Sequence, residues 1–175
     1  MKLLVDRIDS PIGRVILMSD GRHMCALEFE DHEERMMTLL RRYQGAVELA
    51  EADDPQGFSS RLKAYFAGRI DAVDDIPVKA GGSPFQAKVW TELRRIPAGT
   101  ATTYGTLAEK IGKPTAFRAV GLANGSNPIS IVVPCHRVIG SDGTLTGYGG
   151  GLPRKRWLLE HEGVTLPGVA RSKVA

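Results

Sequence analysis

One short segment of the sequence places a cysteine beside two residues that could activate it. Pro134-Cys135-His136-Arg137 directly follows an apolar run, residues 129–133, that is rich in β-branched side chains. Such a run favours a strand, and the proline fixes the backbone just before the cysteine. Nearby basic groups lower the pKa of a thiol and favour the thiolate, which is the nucleophile. The segment therefore predicts a reactive Cys135 at the end of a strand.

The histidine next to this cysteine predicts a particular way of activating it. Neighbouring side chains in an extended strand point to opposite faces, so a direct contact between Cys135 and His136 is awkward. We expect a water molecule between them, with His136 acting as a base through it. A thiol of pKa about 8.5 is about one-tenth thiolate at pH 7.5, so ionisation gains about tenfold and positioning must supply the remaining acceleration.

A base of this kind needs a partner, typically a carboxylate, that holds its tautomer. The acids within residues 81–175 are Glu92, Glu109, Asp142, Glu160 and Glu162. Spacing alone does not choose among them.

Further motifs follow one another in order around Cys135. They occupy residues 103–108, 118–121, 124–128, 147–151 and 157–163. Together with Pro134-Cys135-His136-Arg137, they resemble the methylated-DNA–protein-cysteine methyltransferases, or O6-alkylguanine-DNA alkyltransferases. The resemblance covers most of residues 81–165, and the N-terminal half fits the family's variable α/β domain more loosely.

The resemblance implies a role for each residue of the reaction. Cys135 would accept the alkyl group, His136 would be the water-mediated base, and Glu162 would orient His136. Tyr104 would supply a proton to the leaving guanine, and Asn127 would brace the turn that carries the cysteine. The thioether product has no good leaving group, so each molecule would act once and no cofactor is expected.

The resemblance also implies a duplex DNA partner, bound through the minor groove with the damaged nucleotide flipped out. Arg118 would fill the vacated space, and small residues on its helix would permit close approach to the groove. The other expected DNA contacts are Thr103, Tyr104, Ala116, Ala119, Gly121, Ala123 and Asn124. The expected base pocket comprises Val138, Tyr148, Gly149 and Gly150, with backbone groups of Cys135, Val138 and Gly149 binding the base. Acceptance of O4-methylthymine beside O6-methylguanine stays open.

Three other interpretations fit parts of the sequence. A non-catalytic alkyltransferase-like protein would bind lesions only, but that group carries tryptophan where Cys135 stands. A cysteine hydrolase would need a directly paired histidine and an oxyanion hole, and the sequence indicates neither. A purely structural thiol protein would leave the ordered series of motifs unexplained.

Short helices are predicted to position these residues in the C-terminal half. Ser83-Pro84-Phe85-Gln86 combines an N-cap, a proline at the first helical position and a glutamine placed for a capping box. Two more helices, over 103–111 and 116–123, are separated by Gly112 and a short turn. Two short helices joined in this way predict a helix-turn-helix motif in a mainly α, winged-helix-like domain.

The N-terminal half predicts a different fold class. Short apolar segments near 2–8, 12–18 and 23–29 are separated by turn residues, which indicates a small antiparallel sheet. Met36, Leu39, Leu40 and Tyr43 recur at helical spacing, and a second helix is expected around 58–67. The predicted organisation is an α/β domain over 1–80 without a catalytic role, a DNA-binding and alkyl-acceptor domain over 81–167, and a short tail over 168–175.

Charge is distributed unevenly between the two halves. Residues 1–80 carry 11 Lys/Arg and 15 Asp/Glu, a net charge of −4, whereas residues 81–175 carry 12 and 5, a net charge of +7. Positive charge concentrated in one half is typical of a module that binds a polyanion.

Cysteine usage and hydropathy suggest the cellular setting. The two cysteines and four histidines lack the paired spacing of metal ligands, so no metal is expected. Some members of the family bind zinc in the N-terminal domain, but His23, Cys25 and His32 are too few ligands for such a site. The chain starts without the apolar core of a signal peptide, and no apolar stretch approaches the roughly 20 residues of a membrane helix. These features predict a cytoplasmic protein, which we expect to be a monomer.

Overall fold

The computed structural model describes residues 1–166, which divide into two compact units. The first unit consists of Met1–Gly82 together with Pro128–Val132, and the second consists of Ser83–Asn127 and the chain from Val133 onward. The sequence predicts a single boundary between the two main domains, after residue 80, and does not predict that 128–132 belongs to the first unit. The predicted tail, 168–175, lies outside the described residues.

Six strands and six α-helices are found within residues 1–166. The strands are β1 (Lys2–Ile8), β2 (Val15–Ser19), β3 (Met24–Phe29), β4 (Glu48–Glu51), β5 (Thr102–Thr103) and β6 (Val138–Ile139). The helices are α1 (Glu33–Gln44), α2 (Phe58–Phe66), α3 (Pro84–Arg94), α4 (Tyr104–Lys110), α5 (Phe117–Gly125) and α6 (Leu152–His161). None of these helices is long and apolar enough to cross a membrane.

The sheet of the first unit has the strand order β3-β2-β1-β4. Strand β2 pairs antiparallel with β1 and β3, which confirms the predicted meander. Strand β4 is parallel to β1, with Lys2 opposite Glu48, so the sheet is mixed and not purely antiparallel as predicted. The sequence does not indicate β4 because the strand is four residues long, mostly exposed and flanked by glutamates, which leaves no apolar alternation to detect.

The two predicted helices of the first unit are confirmed as α1 and α2. The apolar spacing of α1 buries Met36, Leu39 and Leu40 against the sheet side of the unit. One cluster of buried side chains joins the helix to the strands. Its members are Leu3, Val5, Ile16, Met18, Cys25, Ala26, Met36 and Leu40.

Residues 128–132 pair with β3 through two backbone hydrogen bonds. The Leu27 N–H donates to the Pro128 carbonyl over 3.0 Å, and the Ser130 N–H donates to the Leu27 carbonyl over 2.9 Å. Together they form an isolated parallel bridge between Leu27 and Ile129. The prediction of a strand that leads to Cys135 is therefore wrong, because the pairing stops after this single bridge.

Two tight turns replace the expected strand. The Val132 N–H donates to the Ser130 carbonyl over 2.8 Å, around Ile131 at a φ of +70°. The Cys135 N–H donates to the Val133 carbonyl over 2.8 Å, around Pro134 at φ −80° and ψ 66°, which is an inverse γ-turn. A positive φ at a β-branched residue is strained, and proline offers no N–H to a ladder, so the β-branched composition cannot form a strand here.

The second unit begins with α3, whose N-terminus has the predicted capping box. In α3 the Ser83 hydroxyl accepts from the Gln86 N–H over 3.2 Å, and the Gln86 side chain accepts from the Ser83 N–H over 2.8 Å. This reciprocal capping box satisfies donors that a helix N-terminus leaves unpaired. Val89 and Leu93 lie on the buried face, as their spacing predicts.

Helices α4 and α5 confirm the two predicted short helices. Thr103 is the N-cap of α4, and its hydroxyl accepts from the Thr106 N–H over 3.1 Å. The Trp90 indole N–H donates to the Ala123 carbonyl over 2.8 Å, which attaches the end of α5 to α3. The short strands β5 and β6 pair in parallel, with Thr102 opposite Val138.

Helix α6 is a feature that the sequence analysis does not predict as a helix. It carries the basic run Arg154-Lys155-Arg156, of which Lys155 and Arg156 are buried. Charged residues on a buried face obscure the apolar periodicity by which an amphipathic helix is recognised. The helix ends at His161, so Glu162 stands at its C-cap.

The capping box predicts a measurable contribution of Ser83 to stability. Replacing an N-cap serine by alanine removes the acceptor for the Gln86 N–H, so Ser83→Ala should lower the free energy of unfolding by about 1 kcal/mol. Urea unfolding followed by circular dichroism would measure the change. Ser141→Ala, an exposed serine outside the helices, is the matched control; equal effects of the two substitutions would argue against the cap.

Candidate active site

Cys135 is the first residue of a single 3-10 turn, Cys135–Arg137, that directly follows the Pro134 γ-turn. Its relative exposure is 6 %, so only a small group has access to the sulfur. A 3-10 helix has three residues per turn, so successive side chains are about 120° apart and not on opposite faces. The prediction that Cys135 and His136 diverge as in a strand is therefore corrected.

His136, Arg137 and Glu162 form a fully buried hydrogen-bonded group. The Glu162 carboxylate lies 2.9 Å from His136 Nε2 and accepts from Arg137 Nε over 2.7 Å and from Arg137 Nη2 over 3.0 Å. The remaining guanidinium nitrogen, Nη1, donates to the Ile96 carbonyl over 2.7 Å. The sequence predicts that Arg137, like His136, activates the thiol, whereas in the structure its guanidinium contacts Glu162 and the Ile96 carbonyl.

The pKa shifts in this group indicate a neutral histidine beside an ionised carboxylate. Burial lowers the pKa of His136, and the opposing effect of Glu162 does not reverse this. Burial acts to raise the pKa of Glu162, but His136 and Arg137 outweigh it and hold this pKa well below its ordinary value. A neutral imidazole that donates from Nε2 has its lone pair on Nδ1, and His136 Nδ1 is buried with no hydrogen-bond partner within residues 1–166. The site therefore contains a free basic nitrogen.

Two asparagines hold the main chain on either side of Pro134. Asn127 Nδ2 donates to the Val133 carbonyl over 2.8 Å, the same carbonyl that accepts the Cys135 N–H. Asn124 Nδ2 donates to the Cys135 carbonyl over 3.3 Å. Asn127 was predicted to lie at the cysteine turn, whereas this position of Asn124 was not predicted.

Lys155 is a buried cation that the sequence analysis missed. Its ammonium donates to the carbonyls of Val138 over 2.6 Å, Thr146 over 2.7 Å and Gly147 over 3.4 Å. Burial lowers the pKa of Lys155 to about 8, and the interaction with Cys135 acts in the opposite direction. A positive charge that interacts with the cysteine favours its thiolate form. In the sequence Lys155 stands within a basic run, which is more typical of a solvated surface.

The residues predicted for a base pocket lie along the segments that Lys155 joins. Val138 is fully buried in β6, Gly150 is buried, and Tyr148 and Gly149 are half-buried. The hydroxyl of Tyr104, the predicted proton donor, accepts from the Thr146 hydroxyl over 3.1 Å. The structure thus brings Tyr104 to the segment that leads into Tyr148–Gly150.

The residues predicted to contact DNA fall into two groups. Arg118 and Ala119 are exposed on α5, and the residues Thr103, Tyr104, Ala116 and Gly121 are partly exposed. Ala123 and Asn124 are only 3 % and 5 % exposed, so their side chains are not available to a macromolecule, contrary to the prediction. Ala123 and Asn124 follow the buried Val120 by three and four residues. Residues at these spacings share one face of a helix, so both lie on the inner face of α5.

The outer face of α5 also carries two apolar side chains that the sequence analysis missed. Phe117 is 51 % exposed and Leu122 is 76 % exposed. Leu122 stands four residues after Arg118, so the two share one helix face.

The second cysteine lies in a different environment from the first. Cys25 is fully buried in the core of the first unit, and burial raises its pKa to about 11. A thiol of this kind is unreactive at neutral pH. In the part of the chain that the structure describes, no group of three His, Cys, Asp or Glu side chains is arranged to hold a metal ion.

Two family models together match nearly the whole chain. The model for the 6-O-methylguanine DNA methyltransferase, DNA binding domain, matches residues 84–164. The model for the 6-O-methylguanine DNA methyltransferase, ribonuclease-like domain, matches residues 4–80.

Individual relatives and solved structures agree with these matches. The methylated-DNA–protein-cysteine methyltransferase of Shigella flexneri is 51 % identical over 170 residues, covering 95 % of this chain and 99 % of that protein. The protein of the same name from Mycobacterium tuberculosis is 45 % identical over 166 residues, covering 91 % and 92 %. The crystal structure of Mycobacterium tuberculosis OGT in complex with DNA has a TM-score of 0.77 at 40 % identity and covers 93 % of each chain. The O6-methylguanine-DNA methyltransferase of Pyrococcus kodakaraensis has a TM-score of 0.62 at 29 % identity, covering 93 % and 99 %.

The buried carboxylate of the site predicts a pH-dependent stability. Glu162→Gln removes the negative charge that offsets Arg137 and should lower the free energy of unfolding at pH 7 by about 3 kcal/mol. A carboxylate whose pKa is lowered on folding stabilises the fold fully above its ordinary pKa of 4.5, and this stabilisation is lost as the pH falls.

In urea unfolding, the difference between Glu162→Gln and wild type should therefore be the same at pH 7 and about pH 6, and should shrink as the pH falls below 4.5. Glu109→Gln, which changes an exposed carboxylate on α4, is the control and should show little effect at any pH. A destabilisation by Glu162→Gln that does not depend on pH would contradict the charge argument.

Proposed function

This chain belongs to the 6-O-methylguanine DNA methyltransferase family, and on that premise we propose that it repairs DNA by moving the methyl group of O6-methylguanine onto its own Cys135. The observation that carries the proposal is the buried group around the cysteine. A nearly enclosed thiol is followed by a neutral histidine whose Nδ1 is free, and the histidine is held by an ionised carboxylate. This arrangement can accept a proton from a nucleophile through a water molecule.

The reaction is an in-line displacement at the methyl carbon. The Cys135 thiol gives its proton through water to His136 Nδ1, and the resulting thiolate attacks the methyl carbon. A sulfur–carbon bond forms as the carbon–O6 bond breaks, and the electron pair of the broken bond stays with guanine. Tyr104 gives guanine a proton, and exchange with solvent restores Tyr104 and His136. The net products are S-methylcysteine and unmodified guanine.

The Glu162–Arg137 pair has a positioning role in this scheme. Glu162 accepts a hydrogen bond from the N–H at His136 Nε2, so the lone pair of the imidazole is on Nδ1. The same carboxylate stabilises the imidazolium that forms after proton transfer. Arg137 holds the carboxylate with two hydrogen bonds. Because the methyl donor is the damaged base itself, the scheme requires no cofactor, and the stable thioether makes each molecule a single-use reagent.

Recognition is proposed to involve α5 and the basic character of the C-terminal half. DNA would lie against the exposed face that carries Arg118, Ala119 and Leu122, with the helix in the minor groove. Arg118 would occupy the space left by a flipped nucleotide, and Tyr148–Gly150 with Val138 would surround the base. We further propose that the protein acts as a monomer in the cytoplasm.

The two rival functions are less consistent with the site. A lesion-binding protein without chemistry has no use for a cysteine beside a polarised histidine. A cysteine hydrolase would pair its histidine directly with the thiol, whereas His136 Nδ1 has no hydrogen-bond partner within the described chain.

The proposed reaction predicts stoichiometric, irreversible transfer to one cysteine. After incubation with duplex DNA containing O6-methylguanine, intact-mass measurement should show one added methyl group, and peptide mapping should place it on Cys135 and not on Cys25. Cys135→Ser should abolish transfer while duplex binding stays largely intact, since binding involves the α5 face. Release of more than one equivalent of repaired guanine per protein molecule would exclude the single-use mechanism.

The proposed role of Arg118 predicts a defect that depends on the form of the substrate. Arg118→Ala should slow repair of duplex DNA about tenfold or more at saturating protein, because filling the gap in the stack offsets an unstacking cost of a few kcal/mol. Its reaction with the free base O6-methylguanine should be unchanged, since the free base needs no flipping.

Single-turnover rates at saturation separate this role from a simple phosphate contact, because saturation removes any effect of weaker binding. Lys113→Ala, which removes another exposed cation between α4 and α5, is the control and should retain the wild-type rate at saturation. If Arg118→Ala repaired duplex DNA at the wild-type rate at saturating protein, Arg118 would have no role in nucleotide flipping.

A further inference from the structure

Asn124 is a polar side chain buried at the end of the helix that also carries Arg118. It is 5 % exposed, and its Nδ2 donates to the main-chain carbonyl of Cys135 over 3.3 Å. Its Oδ1 is buried and has no hydrogen-bond partner among residues 1–166. An unpaired buried amide oxygen is unfavourable, and an apolar side chain at this position would avoid that cost.

The orientation of the Asn124 amide follows from its neighbours. Exchanging its nitrogen and oxygen would place Oδ1 against the Cys135 carbonyl, and two acceptors repel each other. The amide can therefore satisfy the Cys135 carbonyl only by leaving its own oxygen unpaired. A side chain that is retained at a cost to stability, in direct contact with the nucleophilic residue, is a candidate for a role in the reaction.

The carbonyl that Asn124 contacts is a fixed point of the turn that carries the nucleophile. It also accepts the Val138 N–H, which closes the 3-10 turn Cys135–Arg137. With the Cys135 N–H bonded to Val133, both polar groups of the Cys135 main chain are held. Rotation of this residue as a whole, which would swing the sulfur, is thereby opposed.

We propose that Asn124 is a positioning residue, which holds the main chain of Cys135 so that the sulfur lies in line with the carbon–O6 bond of the damaged base. The proposal depends on the methyl transfer proposed above. In-line displacement is sensitive to alignment, and a displacement of about 1 Å can cost about a hundredfold in rate. Asn127 braces the preceding turn through Val133, so the two asparagines act on different peptides.

This role makes α5 a helix with two distinct faces. Arg118 and Leu122 lie on its exposed face, and Asn124 lies on its buried face against the cysteine. The helix proposed to bind the damaged duplex is therefore also hydrogen-bonded to the turn that carries the nucleophile, which links bound DNA to the sulfur through one helix.

Two reagents distinguish positioning from other effects of Asn124. Transfer from the free base O6-methylguanine requires an aligned sulfur, whereas iodoacetamide alkylates an accessible thiolate without a particular alignment. Rates of both reactions at Cys135 should be measured by mass spectrometry for wild type, Asn124→Ala and Asn124→Leu. Ala removes the amide and Leu replaces it with apolar groups that fill the space. Ser126→Ala is the matched control, because Ser126 donates to the Leu122 carbonyl near the same helix end.

We expect methyl transfer by both Asn124 variants to be slowed about tenfold or more, with iodoacetamide rates within about twofold of wild type. The thermal midpoint of Asn124→Leu should equal or exceed that of wild type, because the unpaired oxygen is removed. Ser126→Ala should react normally with both reagents. A wild-type transfer rate in a folded variant would overturn the proposal. So would a parallel fall in both reactions, which would assign Asn124 an effect on thiol ionisation, or failure of both variants to fold, which would assign it a structural role. Absence of transfer by the wild-type protein would instead refute the proposed function itself.

Discussion

The Glu162 carboxylate is buried at the C-terminal end of a helix, where the partial negative charge of the backbone carbonyls opposes it. Taking an anion out of water costs several kcal/mol, so such a group persists only with full compensation. Here the guanidinium of Arg137 supplies a charge and two hydrogen bonds, and His136 supplies a third donor. Arg137 is in turn attached to the Ile96 carbonyl after α3. The end of α6, the cysteine turn and the segment after α3 are therefore joined at one ion pair.

The same ion pair determines what the histidine can do. A histidine between a carboxylate and an apolar interior could be an imidazolium, which would be useless as a base. Burial makes the neutral form the stable one, and the carboxylate selects the tautomer with the lone pair on Nδ1. Lys155 contributes separately, since its charge is balanced mainly by backbone carbonyls and interacts with Cys135. In the proposed reaction, His136 accepts the proton, and Lys155 is a second, separately held group that interacts with the cysteine.

Features encoded locally could be predicted from the sequence, and features that depend on distant contacts could not. The capping box of α3 and the apolar face of α1 involve residues within one or two turns of each other, and both are found as predicted. The pairing of His136 with Glu162 followed from family resemblance, since spacing did not select Glu162 among the acids. The strand expected before Cys135 failed because Ile131 adopts a positive φ within the turn that follows a single bridge to β3. The burial of Lys155 and the inward direction of Asn124 depend on carbonyls 9 to 17 residues away in sequence, which no local pattern reveals.

The pairing of Pro128 and Ser130 with Leu27 means that the first unit is discontinuous along the chain. Its strand β3 is bridged at Leu27 by a five-residue segment encoded in the other half of the gene. A recombination event that exchanged only the first 82 codons between two homologues would bring a new β3 against an old pentapeptide. The bridge between Leu27 and Ile129 would then join residues of different origin. So would the hydrogen bond from the Ser130 hydroxyl to the Glu28 carboxylate, which spans 3.4 Å. The codons of the first unit are therefore not one contiguous stretch of the gene, and an exchange at residue 82 would divide the unit at this bridge.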